Sequence, residues 1–403
     1  MDIEASLRSG REHEMAGALA TAEDEYRRVL DAVRGTESGV EREVTINLAR
    51  LCANDGREFE ALALATYARD ESARAGDLWR LALAQMQMAN ALDGIEDYGS
   101  IPAVLDRVEQ ALDLLEPGQT ARLHLSVVLH RARLAANLGD VDRARADLER
   151  ADVASRAANG QPVPARIAWF VNVVALNAAG RFAEVGPWLE RTPPSEGMVR
   201  RELEYAEQRV RCLLALRPTP DGVEAAAALL AALGGAPVGT VGVAWRLRAA
   251  IDLGTRLASV AGASDLARSA WDLAGHAILI RLRQIENGMR VLPEVAAAGN
   301  EVFDLLTGYR ERFRERHEQL LREVAAARPW PPVDGAIIAV ESGVAVACAW
   351  CTRVRTVDGR WVPIRQFLPE EGEQFTLSHG ICKACWRRSD VALDVYARTR
   401  TST

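Results

Sequence analysis

The chain has 403 residues, of which 49% are hydrophobic, 26% charged and 5% aromatic, and its formal net charge is −7. At roughly 150 residues per domain this is two or three domains, and the mixture excludes a wholly disordered chain, a collagen-like fibre and a small disulfide scaffold. Alanine and leucine fill the apolar share and β-branched residues are scarce before the C-terminus, which favours helix. Lys383 is the only lysine among the 49 basic residues.

Residues 1–10 carry early acids and no apolar run, so no secretory signal is read there. The longest uncharged stretch, 225–245, could span a bilayer on paper. Gly234, Gly235, Pro237, Gly239 and Gly242 interrupt it, so it reads as a helix, a loop and the start of another helix. The expectation is a soluble, cytoplasmic protein with no membrane contact.

Internal periodicity carries most of the information. In Leu138-Gly139-Asp140-Val141-Asp142-Arg143-Ala144 a glycine closes a turn, and five residues later an alanine opens a helix, with Leu148 and Ala151 beyond it. The pattern recurs at Gly17/Ala22, Gly56/Ala61 and Gly262/Ala267. It recurs more loosely at Gly99/Val104, Gly180/Val185 and Asp221/Ala226. The helix-opening positions 22, 61, 104, 144, 185, 226 and 267 are spaced by 39, 43, 40, 41, 41 and 41 residues. An apolar helical stretch precedes each turn, so each unit is predicted as two antiparallel helices whose small residues permit close crossing.

The run from Gly139 to Ala151, Gly-Asp-x-x-x-Ala-x-x-x-Leu-x-x-Ala, resembles the second helix of the tetratricopeptide repeat family, and the resemblance covers about residues 1–290. The period exceeds the family's usual length of about 34. The family's first-helix tryptophan and tyrosine are mostly absent, and most units lack a closing proline. The resemblance implies a superhelix that binds partner proteins or peptides in its concave groove, and it does not imply catalysis.

The position six residues before each turn lies on the first helix, which lines the concave face in that family. It is occupied by Arg11, Arg50, Asp93, Arg133, Val174, Ala215 and Arg256. Arg11, Arg50, Arg133 and Arg256 are therefore candidates to grip an acidic partner segment or a C-terminal carboxylate bidentately. The alternative is that these arginines pair with acids on neighbouring helices.

A long charged helix is predicted over 296–327, with a narrow apolar stripe at Val302, Leu306, Tyr309, Phe313, Leu320 and Val324 that Arg316 interrupts. Such a stripe suits either a coiled coil that forms a homodimer through 301–327 or a terminal helix that caps the last repeat. Prolines within 328–335 end the helix and form a stiff linker.

Residues 336–395 read as a small β-rich domain. Residues 336–340 and 344–347 form short β-prone runs around Ser342-Gly343, a hairpin signal. Cys348-x-x-Cys351 and Cys382-x-x-Cys385, with 30 residues between the pairs, have the spacing of four thiolates around one structural Zn²⁺, as in a zinc ribbon. Iron bound by four thiolates has the same spacing. His379 is a candidate to hydrogen-bond a thiolate or a backbone carbonyl at the site. The order Cys-Ala-Trp-Cys-Thr-Arg-Val-Arg, Asp358-Gly359-Arg360-Trp361 and Ser378-His379-Gly380-Ile381-Cys382-Lys383-Ala384-Cys385 resembles the cysteine-rich tail of many bacterial signalling proteins. That resemblance implies a signalling context.

Cys52 and Cys212 are predicted to be packing residues on helices. No phosphate loop, nucleophile elbow or paired-acid site is visible, so the chain is predicted not to be an enzyme. Residues 1–330 carry a net charge of −8 and residues 331–403 a net charge of +1, which makes the large domain a poor nucleic-acid binder. The sequence therefore predicts a mainly α protein: a helix-turn-helix repeat solenoid of about seven repeats, a long helix, and a zinc-ribbon-like domain. Its predicted role is a scaffold or adaptor for protein partners in signalling. The alternatives are a nucleic-acid-associated regulator, using Arg353, Arg355, Arg360, Arg365, Arg387 and Arg388 near Trp350, Trp361 and Trp386, and a thiol-based redox sensor.

Overall fold

A computed structural model describes residues 2–16, 18–36, 38–190, 199–216, 219–235 and 242–288. It also describes parts of 304–319 and, between 340 and 380, five short strands with residues 359 and 360. The protein is mainly α, and adjacent helices pack in series, an arrangement compatible with a helical solenoid. All of the expected linker 328–335 and most of the helix 296–327 lie outside the described residues.

The helices of the described residues pack in series and are grouped by the expected pairs. Pair 1 is α1 (Ile3–Met15) and α2 (Leu19–Val33), and pair 2 is α3 (Gly39–Asn54) and α4 (Glu58–Arg74). Pair 3 is α5 (Leu78–Gly94) and α6 (Ile101–Leu112), and pair 4 is α7 (Pro117–Asn137) and α8 (Val141–Asn159). Pair 5 joins α9 (Ala165–Ala178) to a 3-10 turn (Phe182–Glu184) and the single-turn α10 (Gly186–Leu189). Pair 6 is α11 (Val199–Leu216) and α12 (Pro220–Gly235), and pair 7 is α13 (Val243–Ala258) and α14 (Ser264–Gly288). First helices lie side by side in α3–α5, α7–α9, α9–α11 and α11–α13.

Local chemistry sets these elements. Asp2, Ser38, Asp77 and Asp140 each accept a backbone N–H at the start of α1, α3, α5 and α8, which satisfies a donor the helix itself leaves open. The turn inside pair 2 has Gly56 at φ +73, and the next amide, of Arg57, returns to Cys52 O at 2.8 Å. Gly139 with Asp140→Ala135 O (2.9 Å) and Gly180 with Arg181→Leu176 O (2.8 Å) repeat that geometry. A left-handed residue is needed there to cap the preceding helix, and glycine adopts it without a Cβ clash. Ala22, Ala61, Ala144, Val185, Ala226 and Ala267, predicted to open the second helices, are all buried.

In pair 3 the structure corrects the reading at Gly99. The left-handed residue is Glu96 (φ +64), and the amide of Asp97 returns to Leu92 O at 2.9 Å. An extra turn follows, tied by Ser100 Oγ donating to Asp97 at 2.8 Å, before α6 opens at Ile101. The buried residues of that helix are Ile101, Val104, Leu105, Val108, Ala111 and Leu112, so Val104 is buried as expected while the left-handed turn residue sits three residues before Gly99. A glutamate in this conformation costs about 1–2 kcal/mol relative to its ordinary backbone regions.

The stretch 225–245 comprises the end of α12, residues 236–241, which lie outside the described residues, and the start of α13. No helix of the described residues is long and apolar enough to cross a membrane. Separate apolar clusters hold different parts of the stack. One runs through pairs 1–3 into α7, a second joins α7–α10 to α11, and a third and a fourth hold pairs 6 and 7. The first cluster also contains Ile285, Leu306 and Tyr309, so the far end of the helical chain returns onto pairs 2 and 3. Two of the six residues of the expected dimerising stripe, Leu306 and Tyr309, are thus buried inside this chain.

At the C-terminus, β1 (Val340–Glu341) and β2 (Val344–Cys348) pair antiparallel around 342–343, the place of the expected hairpin. β2 pairs antiparallel with β3 (Arg353–Arg355), which pairs with β4 (Trp361–Pro363). β5 (Thr376–Gly380) runs parallel to β2.

Candidate partner-binding faces and cysteine centre

The first helices carry Arg11, Arg50, Arg133 and Arg256 on α1, α3, α7 and α13, and each has a carboxylate partner. Arg50 grips Glu14 of α1 with two nitrogens, at 2.8 and 2.7 Å, and Tyr26 donates to the same carboxylate at 3.0 Å. Arg11 pairs with Glu43 of α3, and Arg133 with Asp93 of α5. Arg256 bonds Asp252 one turn back at 2.9 Å and lies 5.3 Å from the Phe182 ring centroid. Arg80 to Glu43 (2.9 Å), Arg42 to Asp77 (3.4 Å) and Arg211 to Asp252 (3.2 Å) add the same kind of link between neighbouring first helices.

Three of the four candidate arginines therefore bridge successive first helices, and together the seven arginines share five carboxylates, Glu14, Glu43, Asp77, Asp93 and Asp252, in a charge ladder. The Glu14 carboxylate holds the Arg50 guanidinium above its ordinary range, and burial beside Glu14 pushes the Tyr26 hydroxyl up to about 12. An acidic partner would have to share or displace an existing carboxylate. The helices are pinned as well as charged. A Cβ at Gly10 would stand 2.6 Å from the Tyr26 ring and one at Gly254 would stand 2.8 Å from the Trp271 ring, so in pairs 1 and 7 a glycine of the first helix receives an aromatic of the second.

A second polar group was not legible in the sequence. Glu207 of α11 is buried and accepts from Trp245 Nε1 of α13, while its Oε1 has no partner among the described residues. Burial pushes its carboxyl up, against the pull of the Arg248 and Arg211 charges. Asn177 of α9 donates to Gln208 O at 3.1 Å and to Gln208 Oε1 at 2.8 Å. Arg248 reaches out of this group to Tyr98 Oη (3.1 Å) and Glu96 (3.2 Å). Its members come from four helix pairs, and no spacing within one pair announces it. Only the stacking of pairs assembles it.

Of the cysteines, Cys52 and Cys212 are buried as predicted, and burial raises both thiols, so neither is poised as a nucleophile. Cys348 closes β2, and the parallel register sets it opposite Gly380, two residues before Cys382. His379 stands opposite Ala347. Cys351, Cys382 and Cys385 lie outside the described residues. The chain matches no protein-family model, and no curated protein matches it.

Proposed function

We propose that the chain is a non-enzymatic scaffold of tetratricopeptide-like repeats, about seven of about 41 residues, that binds a protein or peptide partner along the face of its first helices. One observation carries this reading: the same left-handed turn and the same buried helix-opening residue recur from pair to pair while the first helices lie side by side. That recurrence supports a shared face along the first helices, the kind of surface such arrays use for binding. The charge ladder deepens the reading. Its guanidiniums are already engaged by carboxylates, so a partner segment carrying both signs fits better than a purely acidic one.

The C-terminal residues 336–395 are proposed as a zinc-ribbon-like module with Cys348, Cys351, Cys382 and Cys385 as ligands. The parallel β2–β5 register supports this, because it sets Cys348 opposite Gly380, two residues before Cys382 in the sequence. Four thiolates close the coordination shell, so the metal is structural. A nucleic-acid role for the module is the second reading, favoured by Arg355 standing directly across from Trp361 on the β3–β4 pair.

The test is a photo-crosslinking residue placed in the full chain at Arg11 or Arg133 on first helices, or at Asp31 or Arg143, exposed on second helices. Partner adducts at the first-helix positions support the proposal. Adducts confined to Asp31 and Arg143 overturn it.

A further inference from the structure

Glu207 of α11 lies in the interior of the stack, and its carboxyl is only half satisfied. The residue is 2% exposed. Oε2 accepts from Trp245 Nε1 of α13 and, at 3.4 Å, from Gln208 Nε2. Oε1 is buried and has no donor among the described residues. An ionised carboxylate spreads its charge over both oxygens, so a buried oxygen without a donor penalises the ionised form far more than the neutral acid. No ion pair offsets that cost among the described residues. The nearby guanidiniums have acids of their own: Arg211 lies 3.2 Å from Asp252, and Arg248 lies 3.2 Å from Glu96.

Arg248 couples this carboxyl to a distant part of the chain. It donates to Tyr98 Oη at 3.1 Å, in the turn of pair 3 and 150 residues away, while its Nε has no acceptor among the described residues. α14 packs on the same edge of the stack, where Arg281 donates to Ile95 O at 2.8 Å and Gln284 to Gly56 O. Burial holds the Tyr98 hydroxyl up at about 12, so it stays a neutral phenol. The other charges of the junction are Glu204 on α11, which acts on Arg248, and Asp252 on α13, which acts on Glu207. From the remaining elements packed on α11, the charged residues are Arg166 of α9, Glu184 of the 3-10 turn, and Asp221 and Glu224 of α12, and all four are exposed. An ionised Glu207 therefore finds its counter-charge only by drawing on Arg248 or Arg211, at the expense of the acids that hold them.

We propose that Glu207 makes the junction of α11, α13 and the turn of pair 3 pH-sensitive: it is strongest while the carboxyl is neutral and weaker once an ionised Glu207 competes with Glu96 and Tyr98 for Arg248. Burial raises the folded-state value of this carboxyl above its ordinary one. Its contribution to stability is thus complete below about pH 4.3, the ordinary glutamate value, and is lost as pH rises through the raised folded value. The proposal does not depend on the first-helix face being the partner site, so either can fail alone.

The test compares thermal melts of the full chain with those of Glu207→Gln between pH 5 and 8. Glutamine keeps an oxygen for Trp245 and cannot ionise, and histidine titration is common to both proteins and cancels in the difference. The melting temperature of the unmodified protein is expected to fall relative to the variant by about 2–4 °C or more across that range. A difference that stays constant with pH overturns the proposal. If Glu207→Gln loses its helical circular dichroism, hydrogen-exchange protection factors of the unmodified chain serve instead. Protection at 95–98 and 245–252 that falls several-fold from pH 5 to 8 relative to 44–52 in α3 supports the proposal, and an equal change in all three segments overturns it.

Discussion

Two glycines separate what a turn costs from what stacking costs. Gly76 joins pair 2 to pair 3 at φ +68, and a Cβ there would meet nothing within 4 Å. Gly139, inside pair 4, has φ +75, and a Cβ there would stand 3.0 Å from Ala178 C and Ala179 N. Alanine at either site pays the left-handed penalty of about 1–2 kcal/mol. At Gly139 it also presses on the backbone at the end of α9, which cannot rotate away as a side chain could. Overpacking of that kind adds about 1–3 kcal/mol. Gly139→Ala is therefore expected to destabilise by about 2–5 kcal/mol and Gly76→Ala by about 1–2. Urea unfolding followed by circular dichroism gives the two values. Hydrogen exchange gives the location, since long stacks need not unfold in one step. For Gly139→Ala the faster exchange should appear at 141–178. Equal costs for the two substitutions would refute the tight abutment of pair 4 on pair 5.

Further outcomes follow from the same geometry. Arg50→Glu should lower stability, because it sets a carboxylate against Glu14 and strips the Tyr26–Glu14 bond of its counter-charge, whereas Arg50→Gln should cost about 1 kcal/mol or less, as expected of a part-exposed pair; thermal melts compare them. Burial depresses the His130 pKa to about 4, so the unfolded chain takes up a proton before the folded one does. Its contribution is complete above about pH 6.5 and is lost as pH falls towards 4. His130→Leu should flatten that part of a stability–pH curve, and a curve of unchanged slope would contradict the burial. The purified full chain should hold about one zinc per molecule by metal analysis. Cys382→Ser should abolish it and leave the helical signal nearly intact, since metal contributes about 10–16 kcal/mol to such modules while the helices have their own cores.

Much of the stack could be read in the sequence because its units repeat. Gly56, Gly139, Gly180 and Gly262 are left-handed where the pattern put turns, and the residues five positions on are buried. At pair 3 the pattern found the buried Val104, Val108 and Ala111 but misplaced the turn, where Glu96 and not Gly99 is left-handed. The arginine row was visible, but the acids that answer it were not. Glu14, Glu43 and Asp93 sit one pair away, at separations of 36, 32 and 40 residues that no local rule selects. The return of α14 onto Gly56 and Ile95 was illegible for the same reason on a larger scale. It depends on how several small inter-pair rotations add up, and no residue states that sum.

The Tyr309–Asp97 contact joins residues 212 apart and exists only if the stacked pairs bring the chain's far end back onto pairs 2 and 3. A double-mutant cycle of Tyr309→Phe and Asp97→Ala in the full chain, read by urea unfolding and by exchange at 95–98, tests that return directly. Coupling of about 0.5–3 kcal/mol is expected for residues in contact. Additive losses, with no coupling beyond error, would contradict it.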